Sequence, residues 1–253
     1  MIKICSIASG SNGNCYYIGN ETEAILVDVG ISRKQVLERM KSINLDASKV
    51  KAIFISHEHA DHYRGVRVLS NKLSVPVYLT QKTFEKGWKN SRPTSYRFFK
   101  PGDVIEVGSF KIHSFLKNHD AAEPCSFRIE YNNINIGVFT DIGEPCDNLL
   151  EHFSKCNAMF LESNYDDEML INGSYPQHLK VRIASNKGHL SNNQASKLLN
   201  DNLSKQLELV ILSHLSGDTN TPELAFKAFE KFQDNLKIEV ASRHNVGSIY
   251  EIE

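Results

Sequence analysis

Four short apolar segments of this chain each lead into an aspartate or a histidine, and this pattern restricts the folds that the chain can adopt. Segments 25–27, 53–55, 138–140 and 210–212 are followed by Asp28, His57, Asp141 and His214. Short runs rich in β-branched residues predict β-strands. Polar side chains carried at the ends of several strands are typical of a metal site built at one edge of a sheet.

The densest pattern is residues 57–62, His-Glu-His-Ala-Asp-His, directly after one of these strands. With 10 histidines in 253 residues, such a string arises by chance on the order of 10⁻³ times per chain. In an extended or turning segment, His57 and His59 point to one side and can bind one ion, whereas Asp61 and His62 enter the next helical turn and can reach a second. His119, Asp141 and His214 also follow predicted strands, where such residues can either cap a turn or complete the metal site.

Composition limits the setting of this site. The 29 Lys and Arg against 30 Asp and Glu leave a net charge of −1, so a nucleic acid would have to be bound by a local basic groove or by the metal. We expect one domain over residues 1–253, because no linker, repeat or low-complexity tract divides the chain.

The first residues lack a basic segment and no run approaches the ~18–20 apolar residues of a membrane span. The five cysteines are an odd, scattered set without a C-x-x-C pair. The lack of a long apolar run predicts no membrane contact. The cysteine pattern predicts a cytoplasmic protein with no disulfide-linked partner.

Many short apolar runs with helical patterns inserted among them predict an α/β (α+β) fold. Hairpin signals such as residues 131–134 favour two mixed, mostly antiparallel sheets flanked by helices, rather than the regular alternation of a doubly wound parallel sheet. The predicted helices include residues 33–43, 62–73 and 192–203.

The order of the His and Asp residues resembles the motifs of the metallo-β-lactamase superfamily. The matching residues span most of the chain: Asp28, His57, His59, Asp61, His62, His119, Asp141 and His214. The resemblance implies a four-layer αβ/βα sandwich with a dinuclear metal site at the edge of two sheets. It implies that one ion is held by His57, His59 and His119, the other by Asp61, His62 and His214, and that Asp141 bridges both. Asp28 would orient ligands by hydrogen bonds without binding an ion.

Residues 6–14, 119–124, 162–166, 188–192 and 212–216 further resemble the YycJ (WalJ) branch of this superfamily. That resemblance implies a DNA exonuclease, with DNA as the nucleic-acid partner. Cys125 and Ser163 depart from the apolar residue and the alanine expected at these positions, and neither is a ligand position.

The ligand types favour hydrolysis. Asp141 stands where thiol-ligated zinc β-lactamases carry Cys, and His59 stands where flavodiiron oxygen reductases carry Glu. A site of histidines and carboxylates accepts Zn²⁺ or Mn²⁺, and also Fe²⁺. Two such divalent ions can activate a water for attack on a phosphodiester, with Asp61 as its orienter or base. His189 is the candidate proton donor to the leaving 3′-oxygen and resembles the catalytic histidine of tRNA 3′-processing nucleases; the alternative is a structural histidine beside a helix.

Four residues are candidates for substrate contact: Ser11, Asn12, Asn14 and Asn192. The first three lie in a small polar loop that can offer N–H groups to a phosphate or can be a tight hairpin turn. Trp88, Phe98 and Phe99 could stack on bases, although aromatic residues near strands more often belong to a core.

Three other functions stay open on the residues alone. They are an RNA-processing nuclease, a thiolester hydrolase of the glyoxalase II kind, and a metal-containing regulatory protein that binds nucleic acid without cleaving it. Composition and spacing do not separate DNA from RNA, or end-directed from internal cleavage, and they do not indicate an oligomeric state.

Overall fold

Runs of aliphatic and aromatic residues form fourteen strands in two seven-stranded sheets, and the computed structural model describes every residue, Met1–Glu253. The first sheet has the order β14-β1-β2-β3-β4-β5-β6. Its strands are β1 (Ile2–Ala8), β2 (Cys15–Gly19), β3 (Ala24–Val27), β4 (Val50–Phe54), β5 (Val77–Leu79), β6 (Tyr96–Phe98) and β14 (Tyr250–Ile252). The second sheet has the order β13-β12-β11-β10-β9-β8-β7. Its strands are β7 (Val104–Val107), β8 (Phe110–Leu116), β9 (Cys125–Tyr131), β10 (Ile134–Phe139), β11 (Ala158–Glu162), β12 (Leu209–Ser213) and β13 (Lys237–Val240).

Helices cover the outer faces of both sheets. They are α1 (Arg33–Ser42), α2 (Ala60–Tyr63), α3 (Val66–Leu73), α4 (Gln81–Lys86), α5 (Asp147–Phe153), α6 (Asp167–Asn172), α7 (Gln177–Ile183), α8 (Asn192–Asp201) and α9 (Pro222–Ala228). Strand residues of both sheets, such as Tyr16 and Phe160, form one apolar core between the sheets. A second core joins the first sheet to α1 and α3, and a third joins the second sheet to α5, α8 and α9. The layers are therefore helix, sheet, sheet, helix, which confirms the predicted sandwich.

The polarity of the sheets differs in part from the prediction. Both sheets are mixed, as expected, but antiparallel pairs do not predominate. Each sheet has three antiparallel and three parallel pairs. The reason is that helices connect β3 to β4, β4 to β5, β10 to β11, β11 to β12 and β12 to β13, and a helical crossover returns the chain in the same direction.

The helix predicted at residues 62–73 is divided in two at Gly65. The Gly65 N–H leaves the helical pattern and donates to the Val29 carbonyl at 2.8 Å. A Cβ at this position would lie 2.1 Å from the Ile31 carbonyl oxygen, so only glycine permits this approach. The short strand β6 and the helix α6 were not predicted. None of the helices combines the length and the apolar composition that a membrane span requires.

Candidate metal centre

Six strands end at one edge of the sandwich and deliver its polar side chains. In the first sheet, β3 leads into Asp28 and β4 into His57. In the second sheet, β8, β10 and β12 lead into His119, Asp141 and His214, and β11 ends on Glu162. Because β10, β11 and β12 run parallel in register, their carboxyl ends lie side by side. The edge that the sequence predicted for the metal site is therefore built by both sheets.

Three of these residues have a left-handed backbone. The φ angles are 62° at Asp28, 57° at Asp141 and 58° at His214. A positive φ is uncommon for residues other than glycine, although Asp and His adopt it more readily than most, and such strain is concentrated at functional sites. The reversal ends each strand abruptly and turns the side chain into the edge.

The side chains gather in two adjoining groups, each with ligand atoms within 4.8 Å of one another. The first group, which we call the imidazole group, is His57, His59 and His119; the second, the mixed group, is Asp61, His62 and His214. Asp141 lies between them, with its carboxylate 3.7 Å from His119 Nε2, 3.2 Å from His62 Nε2 and 3.5 Å from His214 Nε2. The arrangement brings together the seven residues that the family resemblance assigned to two ions.

Asp28 orients two of these imidazoles from behind. Its Oδ2 accepts a hydrogen bond from His62 Nδ1 at 2.7 Å and another from the Ser56 hydroxyl at 2.8 Å. Since the Ser56 proton is given to Asp28, His57 Nδ1 is the donor in its 2.9 Å contact with Ser56 Oγ. Both imidazoles are fully buried and keep Nε2 directed away from Asp28. Asp28 therefore has the place in the structure that the resemblance implied, as an orienting carboxylate.

Two buried atoms of the site have no hydrogen-bond partner, namely His57 Nε2 and Asp141 Oδ2. The 3.2 Å contact of Asp141 Oδ2 with His62 Nε2 is not aligned as a hydrogen bond. An unpaired buried polar atom costs about 1–3 kcal/mol, so such atoms normally have a partner. Imidazole nitrogen and carboxylate oxygen are both ligands of divalent metal ions. These unpaired buried atoms are therefore of the kind that a divalent metal ion binds, and the residues of the site fit such ions.

Burial and charge set opposite protonation preferences in the two groups. Burial lowers the pKa of His119 to about 3 and, with the help of His62, holds the pKa of His57 well below its usual value. Burial also opposes the charge of His214, but Asp141, Asp61 and Glu162 outweigh it and raise the pKa of His214 to about 10. In the same way the carboxylates of Asp141, Asp61 and Asp28 raise the pKa of His62 well above 6.5.

Glu162 is a residue of the site to which the sequence analysis gave no role. It is fully buried and accepts hydrogen bonds from the Asp141 and Ile142 amides at 2.9 and 2.8 Å. Its Oε1 also lies 3.0 Å from His214 Nδ1 and 2.9 Å from His189 Nδ1. Burial would raise the pKa of Glu162, but the two histidines outweigh it and lower the pKa to about 2. Glu162 could have been found from the sequence, because it ends an apolar run in the same way as the four strand-end residues identified there.

Lys117 was also missed. Its side chain is 1% exposed, its Nζ donates to the Thr140 carbonyl at 2.7 Å, and the same atom lies 3.9 Å from Asp141 Oδ2. Together with His214 and His62, this ammonium overcomes the effect of burial and lowers the pKa of Asp141 well below 3.8. Lys117 thus helps to keep the central carboxylate ionised.

His189 lies at the opening of the site. Its ring centroid is 5.2 Å from those of His119 and His214, and its side chain is 15% exposed. Since Glu162 is ionised, His189 Nδ1 donates to it and Nε2 has no partner in the chain. A Cβ on the neighbouring Gly188 would lie 2.1 Å from the Ile183 carbonyl oxygen, so glycine is needed for the close turn that positions His189.

The four predicted substrate contacts separate into two pairs. Ser11 and Asn12 are exposed, and Asn12 Nδ2 donates to the Arg243 carbonyl at 3.4 Å. Asn14 is 0% exposed and Asn192 is 2% exposed. The Asn14 amide contacts Asp61 and lies 3.1 Å from His62 Nε2, and Asn192 is bonded to Ser163 and Asn220. Both side-chain amides are buried and engaged inside the protein, whereas Ser11 and Asn12 face solvent.

Comparison with known proteins agrees with this geometry. A model of the Metallo-beta-lactamase superfamily matches residues 8–149. The chain is 38% identical over 222 residues to Exodeoxyribonuclease YycJ of Bacillus anthracis, covering 87% of this chain and 84% of that protein. It is 33% identical over 229 residues to Exodeoxyribonuclease WalJ of Streptococcus pneumoniae, covering 88% and 85%.

The chain belongs to the metallo-beta-lactamase superfamily, in the branch of YycJ and WalJ. The resemblance found in the sequence is thereby confirmed. Among solved structures, the metallo-beta-lactamase fold protein YhfI of Bacillus subtilis superposes with a TM-score of 0.75 at 17% identity, covering 99% of this chain and 100% of YhfI. That likeness confirms the superfamily fold for both sheets. With its His and Asp cluster, this member of the superfamily is suited to divalent metal ions.

Proposed function

We propose that this chain is a metal-dependent phosphodiesterase that removes nucleotides from the ends of DNA. The observation that carries the proposal is the pair of ligand groups joined by Asp141, whose Oδ2 is buried without a hydrogen bond. The names of the two relatives, both exodeoxyribonucleases that share more than four fifths of their length with this chain, support DNA as the substrate and an end-directed reaction.

The chain's residues divide the work of holding two ions. The imidazole group would hold one divalent ion and the mixed group the other, with Asp141 shared between them. We propose Zn²⁺ or Mn²⁺, with Fe²⁺ as a further candidate, because a donor set of imidazoles and carboxylates accepts all three. When bound, two such ions lower the pKa of a water and stabilise the charge that develops on phosphoryl oxygens.

In this proposal Asp61 orients the attacking water. Its Oδ2 lies 3.3 Å from His214 Nε2 and 3.4 Å from His62 Nε2, whereas Oδ1 accepts no hydrogen bond from the chain. The side chain is 23% exposed, more than any other residue of the mixed group. His62 and His214 overcome the effect of burial and lower the pKa of Asp61, so its carboxylate is ionised and can accept a proton from water.

In this proposal His189 protonates the leaving oxygen. Glu162 holds Nδ1 of His189 at 2.9 Å and so fixes the ring, while Nε2 is left to exchange a proton with a bound substrate. His189 belongs to neither the imidazole group nor the mixed group, so in this proposal its proton is not consumed by ion binding. Glu162 acts on this reaction as a positioning residue.

End-labelled DNA tests the proposal. Single- and double-stranded DNA and RNA, labelled at one end, are incubated with the protein and Mn²⁺ or Zn²⁺, and the products are resolved on a gel. We expect mononucleotides or a progressive ladder from DNA, and the labelled end then gives the polarity. Intact DNA and RNA with either ion, from folded and metal-loaded protein, would contradict the proposal.

Two variants provide the controls. Asp61→Asn keeps the size of the side chain but removes its charge, and we expect it to abolish cleavage. Glu151→Gln changes an exposed carboxylate on α5 that pairs with Lys155 at 2.8 Å, and we expect wild-type cleavage from it. Equal activity of Asp61→Asn and wild type would point to a contaminating nuclease.

A further inference from the structure

The segment 81–100 carries a local positive charge although the whole chain is nearly neutral. It contains six Lys and Arg residues and one Glu, within a chain of 29 basic and 30 acidic residues. The net charge of this segment is therefore +5, and the net charge of the remaining residues is −6. Such a concentrated basic segment on a nearly neutral protein gives a local field that attracts phosphates.

Aromatic side chains of the same segment face solvent. The exposed fractions are 57% for Trp88, 48% for Phe98 and 43% for Tyr96. The ring centroids of Tyr96 and Phe98 are 5.1 Å apart, and Phe84 on α4 lies 4.5 Å and 5.6 Å from them. Of the three residues for which the sequence left base stacking or a core position open, Trp88 and Phe98 are exposed and Phe99 is buried. Phe84, Tyr96 and Phe98 thus form one partly exposed cluster, and Trp88 is a further exposed ring of the same segment; exposed apolar side chains gathered in this way mark an interaction surface.

Four basic side chains of the same segment are available for a ligand. Lys86, Lys89, Arg97 and Lys100 are exposed and none pairs with a carboxylate within 4.0 Å. The nearby carboxylates are already engaged. Glu123 pairs with Lys82 at 2.8 Å, Asp103 Oδ2 accepts from the Lys100 amide, and Glu85 accepts from Gln81.

This surface adjoins the metal centre. Phe54 of β4 pairs with Tyr78 of β5, and Leu79 of β5 pairs with Phe98 of β6, all in parallel. The carboxyl ends of these three strands therefore lie at the edge that carries His57. The Ser91 hydroxyl also donates to the Arg64 carbonyl at 3.1 Å, which joins the segment to the end of α2.

We propose that this surface binds an unpaired nucleic-acid strand beside the metal centre. We call it the aromatic edge and define it by the contacting rings of Phe84, Tyr96 and Phe98 and by the exposed side chains of the same segment, namely Trp88, Lys86, Lys89 and Lys100. The faces of bases are free to stack on aromatic rings only where the strand is unpaired, and the basic side chains then follow its phosphates. The inference rests on the proposed nuclease function for its purpose, which is to hold a strand during its degradation.

The lone tryptophan of the chain reports directly on this binding. An oligothymidylate of about 15 nucleotides is added to the wild-type protein in EDTA, where no cleavage occurs, and Trp88 fluorescence is recorded. We expect saturable quenching by the single strand, weak quenching by a blunt duplex of the same length, and loss of binding as salt rises.

Matched variants locate the surface by anisotropy with a labelled oligothymidylate. Phe98→Ala should weaken binding about tenfold through the lost ring. Lys89→Gln with Lys100→Gln should lower the slope of log affinity against log salt by about 0.7 for each lost phosphate contact. Leu203→Ala removes a side chain that is 47% exposed, and Lys205→Gln an exposed lysine, both before β12 at the opposite edge. These two controls should bind as wild type does.

Three outcomes would overturn the inference. One is wild-type affinity in Phe98→Ala and in the lysine pair. Another is equal quenching by duplex and single strand. The third is a concentration-dependent dimer that Phe98→Ala converts to a monomer with unchanged DNA affinity, which would assign the edge to a second copy of the chain. Binding is measured in EDTA, so it is tested separately from cleavage. A protein that binds single strands but leaves DNA intact would contradict only the proposed function. A protein that cleaves DNA with no role for Phe98 would contradict only this inference.

Discussion

The imidazole group and the mixed group lie side by side, yet their surroundings are opposite. The imidazole group is held by neutral partners: His57 donates to the Ser56 hydroxyl, and His119 Nδ1 donates to the Gly188 carbonyl at 3.0 Å. The mixed group is held by carboxylates, with Asp28 behind His62 and Glu162 behind His214. The pKa values of the buried imidazoles are accordingly lowered in the first group and raised in the second.

This difference teaches that one metal site can offer two kinds of ligand. Burial, with the charge of His62 beside His57, keeps His57 and His119 neutral, so these two residues can accept an ion without losing protons. In the mixed group the carboxylates stabilise either a proton or a metal ion on the same nitrogens. Occupation of the second group is therefore coupled to proton release, whereas occupation of the first is not.

The largest effect is expected where the two groups meet. Asp141→Asn removes the charge shared by both, and we expect it to lower phosphodiester turnover by about 10³-fold, since several kcal/mol of transition-state stabilisation depend on the ions that it helps to hold. Turnover of bis(p-nitrophenyl) phosphate, with the ion content by mass spectrometry, measures this. Two tightly held ions and near wild-type turnover would show that the groups do not depend on Asp141.

A change at His189 separates chemistry from ion binding. His189→Gln should lower kcat on DNA by about 10²-fold, in the range for loss of a general acid, with the content of both ions unchanged. The loss should be much smaller with a substrate whose leaving group is p-nitrophenolate, because that group needs no proton. If the loss is equal on both substrates, or if ions are lost, His189 belongs to one of the ligand groups instead.

The sequence was sufficient for the parts of this site that repeat one local pattern. The string 57–62 and the strand-end residues Asp28, Asp141 and His214 were found because an apolar run followed by a polar ligand can be recognised without knowing the fold. The family branch and the sandwich followed from their order and are confirmed. The prediction of one domain over residues 1–253 stays a prediction.

The parts that were missed depend on long-range contacts. Glu162 also ends a strand, but its role depends on β11 lying between β10 and β12, an order that the residues do not reveal. Asn14 lies inside the protein because its backbone N–H donates to the Asp61 carbonyl at 2.7 Å, and only a glycine at position 30 leaves room for that carbonyl. The exposure of Phe98 depends on β6 being the last strand of its sheet.

The orienting residues of the two groups can be compared directly. Glu162→Gln removes the charged partner of His214, and we expect the affinity for the second ion to fall about tenfold or more, as for other partners of metal-binding histidines. Ser56→Ala removes the neutral partner of His57 and should weaken the first ion instead, by a smaller factor. Titration with Zn²⁺ in a competing chelator measures both steps. Weakening of the same step by both variants would contradict the separation into two groups.

The smallest effect concerns protons. In a chelated preparation at pH 7, His214, whose pKa is raised to about 10, and His62, whose pKa is also raised, keep their protons, whereas His119 with a pKa of about 3 does not. An ion binds only the unprotonated nitrogen. The first equivalent of Zn²⁺ should therefore release almost no protons and the second about one to two. The apparent affinity for the second ion should rise with pH between 6 and 9, by at most about tenfold per proton and pH unit, while the affinity for the first ion stays constant.

Calorimetry in buffers of different ionisation enthalpy gives the number of protons released. Glu162→Gln should reduce that number, because His214 then loses a carboxylate that holds its proton. Equal proton release in both steps would mean that the carboxylates around the mixed group do not set its charge.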